Sequence, residues 1–415
     1  MRGFKFFSSK ACQQLKMKRV NIFNYRRIEL VRLIVSSFLF CVTITGFASD
    51  EDVYTESLSE GWGIIICHVT VDGLAMKPFV LDTGASHTIL DQDFIKLIKL
   101  GAKRAEGTVS DGFKSGMTSS FYTPPKIQAG SIKLNPYYVT LLDLAFIKKI
   151  LGINICGVLG MDALRDVTVE LDFNAEKLFL HRRPETLTEY PSSVYIRKGA
   201  DRRSRIMDAK VADILLHLKI DTAFTGGIDM KEEAFKRLVS NGFIQINEKM
   251  SFTRSFSGLQ KKGESGEFLQ GVLLSKDLKG IKVAAIVNDG LLGMDFLRRF
   301  RLAFDFSNSR MHYEARKGYV GLLNVQHIIG GKLRYEQNSA FIDALDRTGG
   351  PFTDIGLMPG DLITVFGDFS MGDINALSVF QSCKEMAGGK IKLSAERSGK
   401  MVFRGDMILR QAVYD

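Results

Sequence analysis

The stretch Phe79-Val-Leu-Asp-Thr-Gly-Ala-Ser86 places three apolar residues directly before an acidic one. Such a run predicts a buried strand, with Asp82 at the point where the strand ends and the chain turns. A carboxylate that emerges from a buried strand is costly to desolvate unless it has a partner. The context of Asp82 therefore predicts a partner group beside it in the folded protein.

A second segment, Leu218-Lys-Ile-Asp-Thr-Ala-Phe-Thr225, offers that partner in Asp221. Alternating apolar residues over 64–81 and 206–220 predict a strand hairpin that leads to each Asp-Thr pair. Each pair is followed by a helix candidate that ends near a glycine. These two candidates are Asp91–Lys99 and Lys231–Val239.

A block of sequence also occurs twice. Gly157-Val-Leu-Gly-Met-Asp-Ala-Leu-Arg165 returns as Gly290-Leu-Leu-Gly-Met-Asp-Phe-Leu-Arg298. Gly, Asp and Arg match along with the aliphatic residues, so the periodicity of a core does not explain the agreement. We interpret it as an internal duplication, in which residues 49–186 and 187–317 each form a small β-rich domain that carries one Asp.

Paired carboxylates have a known chemical use. Two carboxylates about 3 Å apart cannot both ionise at neutral or mildly acid pH, so they share one proton. Asp82 and Asp221 in this arrangement would hydrolyse a peptide bond by general acid–base catalysis without a metal or cofactor. Thr83 and Thr222 suit a cross-brace between the two loops, and Gly84 allows a tight turn and close approach of substrate.

These residues resemble the retropepsin-like aspartic peptidases, in which Asp-Thr-Gly-Ala-Ser followed by a Leu-Gly-Met-Asp-x-Leu helix is typical. The resemblance covers residues 60–315 in two copies. It implies a mainly β fold, in which two acid-protease β-barrel lobes form a pseudo-dimer within one chain and the protein is a monomer. It implies hairpin flaps over the substrate at 108–121 and 252–268, and close packing at Gly160 and Gly293. The implied active-site loops are Thr83, Gly84, Ala85 and Ser86, and Thr222, Ala223 and Thr225.

The second copy departs from the family pattern, because Ala223 stands where the family nearly always has Gly. A methyl group there is tolerated if φ is negative and costs roughly 1 kcal/mol or more if φ is positive. An inactive descendant that binds peptide therefore remains an alternative. A homodimer in which two copies of Asp82 meet is a second alternative.

The C-terminal segment 318–415 contains no third copy. Its stretch Gly356-Leu-Met-Pro-Gly-Asp-Leu-Ile363 resembles a turn of PDZ domains. The resemblance implies that a peptide C-terminus binds as an added strand, with its carboxylate held by Tyr319, Val320, Gly321 and Leu322. The predicted helix Ile374–Met386 would form the other wall of that site.

Most of the charge lies at the N-terminus. Residues 1–48 contain nine Lys or Arg and one Glu, a net charge of +8 out of +10. No basic stripe with aromatic residues occurs elsewhere, which argues against nucleic-acid binding. The apolar run Leu33–Phe47 after Arg32, with Ala48 at its end, predicts a signal peptide or an uncleaved membrane anchor. Either one predicts an exported protein, in the periplasm, the cell envelope or secreted.

Three cysteines lie beyond that segment, Cys67, Cys156 and Cys383. Their odd number and wide spacing favour buried thiols over a disulfide framework or a zinc site.

Overall fold

The computed structural model describes residues 52–412, except 59–62, 110–116, 183–184, 250–251, 256–257, 318, 320–324, 337–338 and 347. The predicted signal or anchor segment, 1–48, lies outside the described residues. Among those described, no helix has the length and apolar character needed to cross a membrane.

The expectation of a mainly β protein is confirmed. The strands are β1 Val53–Ser57, β2 Ile65–Val71, β3 Leu74–Leu81, β4 Thr88–Asp91, β5 Lys103–Val109, β6 Met117–Tyr122, β7 Ile127–Ala129, β8 Ile132–Leu134, β9 Val139–Leu142, β10 Gly157–Leu159, β11 Thr168–Asp172, β12 Lys177–His181, β13 Ser192–Lys198, β14 Arg205–Val211, β15 Ile214–Ile220, β16 Ile228–Lys231, β17 Ile244–Glu248, β18 Phe252–Ser255, β19 Gly258–Lys261, β20 Ser265–Phe268, β21 Val272–Leu273, β22 Lys276–Asp277, β23 Lys282–Ile286, β24 Gly290–Leu292, β25 Phe300–Asp305, β26 Arg310–Ala315, β27 Gly331–Glu336, β28 Ser339–Leu345, β29 Leu362–Phe366, β30 Phe369–Ser370, β31 Lys390–Arg397 and β32 Lys400–Ile408. The α-helices are α1 Ala145–Leu151, α2 Met161–Leu164, α3 Glu232–Ser240, α4 Met294–Leu297, α5 Val325–Ile329, α6 Pro351–Asp354 and α7 Ala376–Met386; 3₁₀ turns cover Phe94–Leu97 and Glu185–Glu189.

The first sheet positions Asp82. Its strand order is β5-β6-β9-β4-β10-β3-β2-β7-β8. Strand β3 runs parallel to β10, with Leu81 opposite Leu159. The next backbone N–H, that of Asp82, donates to the carbonyl oxygen of Leu159 at 3.0 Å. The end of β3 is therefore fixed from both sides, and the acidic residue begins the turn that follows.

Asp221 lies in a matching arrangement. Strand β15 runs parallel to β24, with Ile220 opposite Leu292, and the Asp221 N–H donates to the Leu292 carbonyl oxygen at 3.0 Å. These strands belong to a thirteen-stranded sheet in which β11 and β25 pair antiparallel. That pairing joins the chain around Asp82 to the chain around Asp221.

Two of the three predicted helices are confirmed, and the third prediction is wrong. Lys231–Val239 and Ile374–Met386 are confirmed as α3 and α7. The predicted helix Asp91–Lys99 is instead the end of β4 followed by a single 3₁₀ turn. The buried Asp91 carboxylate explains the difference, because it accepts hydrogen bonds from the N–H groups of Asp93 and Phe94 and thereby forms a turn. The same carboxylate pairs with Lys148 on α1 at 2.5 Å.

A separate sheet with its own apolar core forms the C-terminal part, in the order β27-β28-β29-β31-β32 with β30 beside β29. In the turn before β29, buried Asp361 accepts two hydrogen bonds from the Arg397 guanidinium, at 2.7 and 2.8 Å. Helix α7 begins with a capping box formed by Asn375 and Ser378. The Arg397 contacts hold the Gly-Asp turn quoted above, at Gly360-Asp361.

Helix α1 lies between the first sheet and the C-terminal sheet. Its residues Ile147 and Leu151 pack into an apolar cluster of the first sheet. On the other side, Lys149 forms an ion pair with Glu336 of β27.

The three cysteines beyond the N-terminal segment, Cys67, Cys156 and Cys383, are free and buried, as expected.

Candidate active site

Each Asp carboxylate is held by its own turn. The Oδ1 atom accepts hydrogen bonds from the backbone N–H groups two and three residues further along, at 2.7 and 2.9 Å for Asp82 and at 3.0 and 2.9 Å for Asp221. Two such bonds fix the orientation of a carboxylate and leave its Oδ2 atom for other contacts.

Two threonines join the two turns. Thr83 Oγ1 donates to the Ile220 carbonyl oxygen at 2.9 Å and accepts from the Thr222 N–H at 3.1 Å. Reciprocally, Thr222 Oγ1 donates to the Leu81 carbonyl oxygen at 2.7 Å and accepts from the Thr83 N–H at 3.1 Å. Both threonines are fully buried. These four hydrogen bonds connect loops that lie 139 residues apart in the chain.

Gly84 shows how close the two carboxylates lie. Its N–H donates to Asp82 Oδ1 at 2.7 Å. A Cβ atom placed on Gly84 would lie only 2.2 Å from Asp221 Oδ2. Gly84 is not among the described residues with positive φ, so glycine is required here for space rather than for backbone freedom. Both acidic side chains therefore face the same small volume at Gly84.

Ala223, the departure from the family pattern, fits without backbone strain. It is not among the described residues with positive φ, so the cost of a left-handed alanine does not arise. Ala223 packs with Ala85 against an apolar cluster that includes Val80 and Val158. Ala223 therefore adds to this apolar cluster.

The surroundings of Asp82 favour its protonated form. Burial, and after it the nearby Asp221 carboxylate, raise the pKa of Asp82 from 3.8 to about 7. The Lys219 ammonium and the N–H groups of Ala85 and Gly84 act in the opposite direction. Burial is the larger effect because Asp82 is only 5% exposed. A carboxyl group that keeps its proton near pH 7 can act as a general acid there.

The remaining residues of the predicted loops lie around this centre. Ser86 Oγ lies 3.1 Å from His87 Nδ1, and the other ring nitrogen of His87 contacts the Arg203 guanidinium. Burial, together with the charge of Arg203, lowers the pKa of His87 to about 4, so its ring is neutral at pH 7. Thr225 is exposed at the rim, where its side chain packs beside Gly63.

The repeated glycines lie where helices α2 and α4 meet the two turns. A Cβ atom on Gly160 would lie 2.4 Å from the carbonyl oxygen of His87, and one on Gly293 would lie 2.3 Å from that of Gly226. Any larger residue would push a helix away from its turn.

The segments expected to form flaps are hairpins as far as they are described. Strands β5 and β6 pair antiparallel, and so do β18 and β19. The tips, 110–116 and 256–257, lie outside the described residues. Next to the second hairpin, Lys262 forms a buried ion pair with Asp229 and lies over the Phe224 ring, with Nζ 4.6 Å from the ring centroid.

Two lysines near the site were missed by the sequence reasoning. Lys219 and Lys262 belong to no motif, and each lies in or beside a β-rich stretch that was read for its apolar pattern. Lys219 carried a signal nonetheless, because it occupies the position that Val80 has in the first segment. A charged residue at a matched apolar position points to a local difference between the two segments.

The carboxylate loop expected in the C-terminal part is described at one position only. Val320, Gly321 and Leu322 lie outside the described residues. Tyr319 lies against two guanidinium groups, those of Arg299 and Arg316, at 5.7 and 4.9 Å from its ring centroid.

Comparison with models of protein families identifies a related segment. The model of a family described as "Aspartyl protease" matches residues 67–163, a range that runs from β2 to α2 and includes Asp82 and its turn. No curated protein matches the chain. Residues 67–163 are thus similar to the retropepsin-like aspartyl proteases.

Proposed function

We propose that this protein is an aspartic endopeptidase in which Asp82 and Asp221 share one proton and activate a water molecule. The observation that carries the proposal is the meeting of both carboxylates at Gly84. Asp82 Oδ1 accepts a hydrogen bond from the Gly84 N–H, and Asp221 Oδ2 lies where a side chain on Gly84 would be. The reciprocal bonds of Thr83 and Thr222 hold this arrangement.

The proposed reaction starts from a carboxyl pair that holds one proton. The raised pKa of Asp82 makes it the member that keeps the shared proton near neutral pH. Ionised Asp221 takes a proton from water as the water oxygen attacks the scissile carbonyl carbon. Asp82 gives its proton to the carbonyl oxygen, which leaves a tetrahedral diol. Asp221 then gives the proton it took to the amide nitrogen, Asp82 takes a proton from a diol hydroxyl as the C–N bond breaks, and the carboxyl pair returns to its starting state.

In this proposal the two matching arrangements around β3 and β15 are the lobes of a single-chain pseudo-dimer that works as a monomer. Peptide or protein substrate would bind in an extended form between them.

The C-terminal sheet with α7 would act as a PDZ domain that binds a peptide C-terminus. Residues 1–48 would direct export and would provide the protein's contact with a membrane. The proposed site uses no metal and no cofactor.

Hydrolysis of a peptide library by the purified 49–415 fragment tests the activity. Asp82→Asn and Asp221→Asn should each reduce turnover to background, and a statine-type mimic of the tetrahedral state should inhibit. Asp213→Asn, at an exposed turn of the hairpin that leads to Asp221, is the matched control and should retain activity. Unchanged turnover in Asp221→Asn would rule out the proposed pair.

Two further outcomes would indicate the alternatives. Tight binding of extended peptides without turnover between pH 3 and 8 would indicate a binding protein. A specific activity that rises with protein concentration would indicate that two chains combine their Asp82 residues. For the C-terminal sheet, binding of peptides with a free carboxylate but not of their amidated forms is the expected result.

A further inference from the structure

Lys219 lies on the same side of its strand as Asp221. Lys219 is the second-last residue of β15 and Asp221 follows the strand directly, and alternate residues of an extended chain point to the same face. The Lys219 ammonium donates to the carbonyl oxygen of Gly84 at 3.1 Å. It therefore reaches across to the turn that holds Asp82, and it places a positive charge at the edge of the candidate site.

The residue that matches Lys219 in the first segment, Val80, differs from it in charge and in exposure to solvent. Val80 stands two residues before Asp82, is only 2% exposed, and packs with Leu144, Leu151 and Val158. Helix α1 and its flanking residues thus cover that side. Lys219 is only partly buried. One side of the site is therefore apolar and closed, and the other is cationic and partly open.

The Lys219 ammonium has capacity for another acceptor. It carries three N–H donors, and Gly84 is its one hydrogen-bond acceptor among the residues that the structure describes. The charge of Lys219 acts to lower the pKa of two acidic groups, Asp82 and Asp201. Asp201 Oδ1 is already engaged by the N–H groups of Arg203 and Ser204, both at 3.0 Å.

We propose that Lys219 makes the site selective for peptides with an acidic side chain next to the bond that is cut. This inference rests on the proposed peptidase function and adds the substrate class. A carboxylate of the substrate would take a free donor of Lys219 and form a charge-assisted hydrogen bond. A neutral amide of the same shape would leave the ammonium less well satisfied. A preference of roughly ten- to hundredfold for Glu over Gln in kcat/KM is expected from such a bond.

The test uses peptide pairs that differ only by Glu or Gln at each residue flanking the cleaved bond. The unsubstituted protein should prefer Glu at one of these positions. Lys219→Met should reduce the preference to roughly threefold or less, and Lys219→Arg should retain most of it, since the charge remains. Lys219→Glu should favour Lys at the same position. Lys210→Met, which removes an exposed lysine from neighbouring β14, should leave the preference unchanged.

The preference is a ratio within each variant, so a general loss of activity cancels. If Lys219→Met slows both peptides equally and keeps the ratio, Lys219 is merely structural and the inference is wrong. It is also wrong if the unsubstituted protein shows no preference while Asp82→Asn still abolishes hydrolysis. If no peptide is cut, the proposed function fails. Binding of uncleavable statine peptides that contain Glu or Gln then decides the inference separately, with equal affinities refuting it.

Discussion

Replacing Thr222 with valine would remove one half of the hydrogen bonding that joins the two Asp turns. The side chain keeps its shape but loses its hydroxyl group. Two buried backbone groups then lose their partner, the Leu81 carbonyl oxygen at 2.7 Å and the Thr83 N–H at 3.1 Å. Water has little access to replace them, because Thr83 and Thr222 are both fully buried.

The expected cost follows from those two groups. An unsatisfied buried donor or acceptor costs about 1–3 kcal/mol, so Thr222→Val should lower the free energy of unfolding by about 2–6 kcal/mol. Thr83→Val should cost a similar amount, because it leaves the Ile220 carbonyl oxygen and the Thr222 N–H without their partner. Urea unfolding would measure the loss, and hydrogen exchange of the peptide 79–88 would localise it.

Thr222→Ser is the matched control, since it keeps the hydroxyl group and removes only a methyl group. It should retain most of the stability lost in Thr222→Val, with a cost of about 1 kcal/mol for the methyl group. A change below about 0.5 kcal/mol in both valine variants would refute the reasoning. It would mean that the two turns are held together by something other than these four hydrogen bonds.

Three other changes test the site and its surroundings. Gly84→Ala should reduce kcat by roughly a hundredfold or more, because its methyl group would lie 2.2 Å from Asp221 Oδ2 and displace that carboxylate. The rate of hydrolysis should fall as pH rises past about 7, where Asp82 loses its proton, as a pH profile of kcat/KM would show. Lys262→Met should lower the free energy of unfolding by about 3 kcal/mol in urea, since it leaves the buried Asp229 carboxyl group without its ion-pair partner.

Contrary results for the two substitutions would count against this description of the site. A fully active Gly84→Ala variant would show that the Asp221 carboxylate lies elsewhere during turnover. The raised pKa of Asp82 also predicts that stability falls as pH rises from 3.8 to about 7, because the folded state holds a proton that the unfolded chain releases. Asp82→Asn should remove that slope, and a slope that persists would belong to other groups. Lys262→Met combined with Asp229→Leu should recover stability, and no recovery would show that the ion pair is not the cause.

The local setting of Asp82 could be predicted because a short-range pattern determines it. Apolar alternation predicts the hairpin, and the position of the acidic residue after the strand predicts the turn. The matching segment before Asp221 has the same pattern. In both cases the neighbouring parallel strand, β10 or β24, is supplied by the repeated block of sequence.

Other features depend on contacts that no local pattern reveals. The helix expected over 91–99 did not form, because the Asp91 carboxylate makes hydrogen bonds to the backbone and an ion pair with Lys148, 57 residues away. Lys219 could be read as an interruption of an apolar run, but its contact with Gly84 spans 135 residues. Long-range contacts of polar side chains are therefore where the sequence reasoning was incomplete.

Helix α1 has a consequence for how the chain can be divided. One face lies in the apolar cluster that also contains Ala85 and Ala223, and the other meets the C-terminal sheet through Glu336. A fragment that ends at residue 317 would lose the Lys149–Glu336 ion pair and leave that outer face in water, so helix α1 is expected to be less stable in it than in residues 49–415. Loss of the C-terminal sheet is therefore expected to reach the cluster that contains Ala85 and Ala223 through a single short helix.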